Sequence, residues 1–143
     1  MALLSPHDRE TLVHHLAPIS APVDLVFFTQ TIGGSESSLV ARQVLDEVAS
    51  LNDKIAVVEK NVVLDTEDRA KYGVDKSPAV VVLANGADTR MRFYGANTGY
   101  EFVALIEAVL LAGTGTLDLE PETIAKLATI DQPRHVQVFT TPT

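Results

Sequence analysis

Cysteine is absent from all 143 residues. Its absence excludes disulfide bonds, thiolate catalysis and cysteine-ligated zinc or iron–sulfur centres within this chain. Basic residues are scarce: 11 Lys and Arg face 19 Asp and Glu, for a net charge of -8, and the basic residues are scattered. A surface of that sign is unsuited to nucleic acid phosphates or to an anionic membrane. No apolar run reaches the roughly 20 residues that a membrane-spanning helix needs. The opening Met1-Ala2-Leu3-Leu4-Ser5 has neither the basic start nor the long apolar core of a secretion signal, so the expected location is cytoplasmic. What the chain does have is apolar content, 46% hydrophobic against 21% charged, which is enough for one sizeable core.

Along the chain, Ser5, Pro6 and Asp8 spell a helix start, with Ser5 as N-cap, Pro6 at the first helical position and an acid in the first turn. Leu12, Val13 and Leu16 give that helix a short apolar stripe, and Pro18 ends it. Residues 23–29 form a β-rich apolar run suited to a strand covered on both faces. A helix beginning near Ser35 carries Val40, Val44, Val48 and Leu51 at helical spacing. Residues 55–63 read as a second strand, and Asp65 or Thr66 to Tyr72 as a short helix that Gly73 closes in the left-handed conformation. This alternation favours a parallel pair joined by a right-handed crossover. A third strand at 79–83, the Asn85-Gly86 turn and a returning strand at 90–94 make a hairpin. Phe102, Ile106, Val109 and Leu110 mark a helix lying on the sheet, and Gly113-Thr114-Gly115 breaks its pattern. Pro121 then starts one more helix with Ile124, Leu127 and Ile130 on one side, and residues 135–140 read as a last strand.

The stretch around which this order turns is Gly33-Gly34-Ser35-Glu36-Ser37-Ser38, between the first strand and the long helix. A Cys-x-x-Cys pair at such a point is reactive because a helix N-terminus lowers the pKa of a thiol placed on it. Ser35 and Ser38 have that spacing with oxygen in place of sulfur. Ser77-Pro78 falls immediately before the third strand.

On these residues, together with Tyr72-Gly73-Val74-Asp75-Lys76-Ser77-Pro78, Arg92-Phe93-Tyr94-Gly95 and Gly99-Tyr100-Glu101-Phe102, the chain resembles the N-terminal half of the glutaredoxin-like protein disulfide oxidoreductases, two thioredoxin folds in tandem. It is similar also to the N-terminal domain of the flavoprotein subunit of alkyl hydroperoxide reductase, whose first thioredoxin fold lacks catalytic cysteines and whose second carries the Cys-x-x-Cys that serves a peroxiredoxin. The resemblance implies a thioredoxin-like α/β fold with a mixed sheet over residues 1–116. Residues 117–143 would be a linker helix and the first strand of a second such fold. It implies a disulfide-exchange system in which Ser35, Glu36, Ser37 and Ser38 hold a degenerate redox motif, with Ser77 and Pro78 as the cis-proline loop. In both relatives the run matching residues 138–143 leads directly into the working Cys-x-x-Cys. One expectation is therefore a selenocysteine codon read as a stop after Thr143; a stop other than UGA at that place sinks it. The implied partner is a protein or peptide, such as a peroxiredoxin or a disulfide substrate. The alternative is a stand-alone redox-dead module that binds a peptide. No cofactor or metal is implied. Residues 121–140 are expected to pack back on their own domain or on a second copy, giving a homodimer through a strand edge.

The remaining constellations have plainer readings. Gly33-Gly34-Ser35 reads as a flexible turn and a serine N-cap, since the dinucleotide and P-loop spacings are not met. His14 and His15 are adjacent, a poor metal pair on a helix. Asp65, Glu67 and Asp68 suit the first turn of a helix through its dipole. Asp24 is either a buried acid or at a sheet edge, and Phe93, Tyr94 and Tyr100 are expected to pack in the core and hairpin. Ser35 lacks the Gly-x-Ser-x-Gly elbow of a hydrolytic nucleophile, and no histidine is placed as its base.

Overall fold

The computed structural model describes residues 2–141. Nine elements follow in order: α1 (Pro6–Leu16), β1 (Val23–Thr29), α2 (Glu36–Ala49), β2 (Ile55–Asn61), α3 (Thr66–Tyr72), β3 (Ala79–Ala84), β4 (Ala87–Tyr94), α4 (Tyr100–Thr114) and α5 (Pro121–Leu127). The four strands form one sheet in the order β2-β1-β3-β4. β1 pairs in parallel with β2 (Val23 with Ile55, Thr29 with Asn61) and antiparallel with β3 (Val23 with Ala84, Phe28 with Ala79). The β2-β1-β3 centre therefore brings the C-terminal ends of β1 and β2 and the N-terminal end of β3 to one edge of the molecule.

Apolar side chains on alternate positions of β1 go to opposite faces, and both faces are covered. On one face Val23, Leu25 and Phe27 pack with Val80 and Val82 under α2 (Ala41, Val44, Leu45, Val48) and α4 (Leu105, Ile106, Val109), with Leu16 of α1 at the margin. On the other, Val26 and Phe28 pack with Ala79, Val81 and Leu83 under Tyr72 of α3, Val74 and Tyr94. The Phe28 and Tyr72 rings meet edge-on at 6.4 Å. Asp24 is half-buried in β1, a central strand; its expected edge position is corrected by the pairing of β1 on both sides.

Local signals account for most ends. Ser5 Oγ accepts from Asp8 N at 3.1 Å, Gly73 closes α3 at φ 64°, and Asn85 and Gly86 turn the β3–β4 hairpin with φ of 49° and 82°. Four boundaries differ from expectation. β2 ends at Asn61, two residues early, because the Asn61 side chain accepts from Val63 N and Leu64 N (2.9 and 3.1 Å) and its backbone carbonyl from Asp65 N (2.9 Å), which turns the chain away. β4 begins at Ala87 and not at residue 90: a register shift opposite Val81 and Leu83, with Arg90 at φ 68°, is a bulge that hides the alternation. α4 runs straight through Gly113, whose missing Cβ leaves room for Ile19; a Cβ there would lie 2.6 Å from Ile19 Cγ2. The helix ends only at Gly115, φ 67°.

The fourth difference is the tail. Residues 135–140 are not a strand: the segment pairs with neither open edge of the sheet, β2 or β4. Nor do residues 121–140 pack back on the domain: Ile124, Leu127, Ile130, Val136, Val138 and Phe139 are all exposed. A hydrogen bond from the Thr140 hydroxyl to Glu101 ties the segment to α4. Pro142 and Thr143 lie outside the described residues. Val13 of the expected α1 stripe is also exposed, because Leu12 and Leu16 alone face the sheet assembly.

Arg92 straps the second face. It stands opposite Val81 on β4, grips Asp88 with both terminal guanidinium nitrogens (2.8 and 2.7 Å) and donates through Nε to Tyr72 O at 3.0 Å. The hydrogen bond from Arg92 is the main cause holding the Asp88 carboxyl below its usual 3.8. A depressed folded-state pKa stabilises the fold above the unfolded value and is lost as pH falls through the folded one. Accordingly Asp88→Asn is expected to melt about 2–5 °C lower than the parent chain near neutrality. The gap should close as pH drops below about 4, read by thermal melts across an acid series.

Candidate functional site

The loop from β1 into α2 is built around two glycines. Gly33 has φ +75°, a left-handed conformation, and Gly34 approaches the preceding turn so closely that a Cβ would meet Gln30 O at 2.4 Å. The chain can thus turn sharply into α2 with Ser35 at its N-cap. Ser35 has the extended backbone of a cap (φ -75°, ψ 160°), but its hydroxyl caps no backbone N–H. Instead Ser35 Oγ lies 3.4 Å from Ser38 Oγ, while Ser38 N donates to Ser35 O at 2.9 Å. The expected serine cap is therefore corrected in its side chain. One hydroxyl of the pair is in solvent, on Ser35, and the other is buried, on Ser38 at 7% exposure; Glu36 and Ser37 are exposed.

β3 supplies the other side. Because Phe28 pairs with Ala79, the Ser77-Pro78 peptide bond, which is cis, falls beside the residues that continue from Thr29 toward the glycine loop. Pro78 is buried and its carbonyl accepts from Gly95 N at 3.0 Å. Asn97, which nothing in its sequence context singles out, braces this corner: it is 2% exposed, sits at φ 55° and donates through Nδ2 to Gly95 O at 3.3 Å. A polar residue between Gly95 and Gly99 looks like any loop residue in sequence, and only its burial marks it.

The topology thus gathers a serine pair on a helix N-terminus, a parallel β1–β2 pair with a crossover helix, and a cis-proline turn opening an antiparallel hairpin. The fold is thioredoxin-like. Of solved structures, the alkyl hydroperoxide reductase AhpF of Enterococcus faecalis matches with a TM-score of 0.81 and 28% identity, over 88% of this chain and 60% of that one. A protein disulfide oxidoreductase from Aeropyrum pernix shares the fold with a TM-score of 0.74 at 21% identity, over 87% of this chain and 54% of that one. Among curated proteins, the F subunit of alkyl hydroperoxide reductase from Escherichia coli is 25% identical over 134 residues. Those residues are 94% of this chain and 22% of that protein, so the thioredoxin-like chain spans about a fifth of the curated relative. No family model matches it.

The remaining candidates are absorbed by structure. His15 Nε2 meets Glu107 at 2.8 Å, and Asp68 pairs with Lys60 at 3.0 Å. Asp65 accepts from Asn61 N at 2.6 Å. Among the described residues no three His, Asp or Glu side chains converge as metal ligands. Phe93 and Tyr94 pack against the two core clusters, with the Lys76 ammonium 4.9 Å from the Tyr94 ring. Tyr100 does not pack; as the first residue of α4 it is 84% exposed, which corrects its expected place in the core.

Proposed function

We propose that this chain is a redox-silent thioredoxin-like domain that holds a protein partner, such as a peroxiredoxin or a disulfide substrate, for dithiol–disulfide exchange carried out by another fold. The observation that carries the reading is the Ser35–Ser38 pair, hydroxyl to hydroxyl at 3.4 Å on the N-terminus of α2, in a chain without cysteine. A hydroxyl is scarcely ionised near neutral pH and forms no disulfide, so the position keeps the shape of a redox site without its chemistry. The similarity to the alkyl hydroperoxide reductase flavoproteins supports the association with a disulfide-reducing system. The groove between Ser35 and Ser77-Pro78 is then a place for an extended segment of the partner, held through its backbone.

Insulin reduction by dithiothreitol tests the reading directly. The chain is expected to leave the rate at that of dithiothreitol alone, and to bind an extended peptide equally with and without reductant. Catalysed turnover, or binding that switches with reductant, overturns it.

A further inference from the structure

On the flank of Ser35 away from Pro78 lies a cleft of about 400 Å³ lined by Gln30, Thr31, Ile32, Asn61, Val63 and Leu64. It exists because β1 and β2 run parallel and release their following loops at the same edge. Asn61 joins the two loops. Its Nδ2 donates to Thr31 Oγ1 at 3.4 Å, and its Oδ1 accepts from Val63 N at 2.9 Å and Leu64 N at 3.1 Å. That arrangement turns bulky side chains outward: Ile32 is 86% exposed and Leu64 77%. Leu39, on the outer side of α2, is exposed as well. An apolar patch of this kind marks a surface that another molecule covers.

The charges around it choose the occupant. Glu36 opens α2 directly after the first loop, and Glu67 lies in the first turn of α3 directly after the second; neither makes an ion pair among the described residues. Lys60, the cation next to the end of β2, is tied to Asp68. A second copy would bring the same acids and another net charge of -8 against this face, so it is repelled.

We propose that the Ile32–Leu64 cleft is a partner-docking subsite that takes one bulky aliphatic or aromatic side chain from a protein segment flanked by Lys or Arg. The assignment rests on the partner-holding reading above and names the chemistry of the partner. The apolar anchor fills the cleft, and the basic flanks meet Glu36 and Glu67 in the first turns of the helices that follow the two loops.

The probe is a short synthetic peptide with a leucine–phenylalanine core and lysines on both flanks, titrated into the isotope-labelled chain and followed by amide shifts. Controls carry the same core between glutamates, or a serine core between lysines. Shifts are expected at residues 30–32 and 61–64, with each control weaker by about tenfold or more. Ile32→Ser and Leu64→Ser should weaken the lysine-flanked peptide to the same degree and leave the melting temperature unchanged, because both side chains are already in water. Equal binding of the glutamate-flanked peptide overturns the proposal. So do shifts confined to Ser77, Ala79 and Gly95, which would leave the groove beside Pro78 intact as the binding place. Silence at both places at millimolar peptide removes the groove reading along with the cleft.

Discussion

Replacing Ser35 and Ser38 together by cysteine is expected to give a chain that reduces insulin disulfides. The two hydroxyls already sit 3.4 Å apart, and the residue pair spans one turn at the start of α2. Sulfur is larger than oxygen, so a bond between the two new atoms needs only a small rotation from the present geometry. Ser35 is exposed and Ser38 is 7% exposed, which gives the first thiol to the incoming disulfide and keeps the second for resolving the mixed disulfide. The free N–H groups and dipole of α2 should hold the thiol introduced at position 35 below the ordinary value of about 8.5. The expected readouts are three. Oxidised Ser35→Cys/Ser38→Cys protein loses two hydrogens in its intact mass. A pH titration of thiol alkylation finds the exposed sulfur reactive near neutrality. Insulin precipitation outpaces dithiothreitol alone, while Ser35→Cys or Ser38→Cys singly does not. A double variant that stays a dithiol under mild oxidation would mean that the loop backbone, and not the loss of sulfur, had moved away from the redox geometry.

Most of the fold is legible in the residues because local and global demands agree. The 23–29 run has no polar alternation, and it becomes the strand that is covered on both faces. Asn85-Gly86 needs a positive φ at both positions and adopts it. The failures occur where a long-range contact decides. Gly113 reads as a helix stop, but its role is to let α4 come against Ile19, a residue 94 positions earlier in the chain. The bulge at Arg90 shortens the apparent strand, since one left-handed residue puts the side chains out of phase. Residues 135–140 have the pattern of a strand, yet a pattern states only what a segment can pair with, and neither open edge of the sheet, β2 or β4, takes it up.

The site divides in the same way. Of the candidate site, the Ser35 and Ser38 positions are legible from their spacing, and Ser77-Pro78 from its place in the fold that the chain resembles. Asn61 and Asn97 are not, because an asparagine in a loop announces a turn and says nothing about which loops it joins. Asn61 sits where two segments meet that are 30 residues apart, Thr31 and itself. Gly34 lies between these cases: a paired glycine suggests a tight turn, and the reason for it, Gln30 O at 2.4 Å from any Cβ, is visible only in three dimensions.

The contrast between two phenylalanines measures how far the core reaches. Phe27 is 1% exposed in β1 and packs among the α2 and α4 side chains; Phe139 is 88% exposed in the tail. Phe27→Ala removes a ring from a site closed on both sides by strands and helices, so the cavity cannot collapse fully. A loss of about 3–5 kcal/mol is expected. Domains of this size are stable by about 5–15 kcal/mol, so the variant should melt roughly 10–25 °C lower or fail to accumulate folded. Phe139→Ala should stay within about 0.5 kcal/mol of the parent, because the side chain leaves water for nothing in this structure. Chemical denaturation of both variants, followed by far-ultraviolet circular dichroism, compares them on one scale. If Phe139→Ala costs as much as Phe27→Ala, the tail is part of the folded unit in solution and covers an apolar surface. Should only Phe27 matter, the fold ends with α4, and the exposed side chains of the tail are free to be covered by something other than this domain.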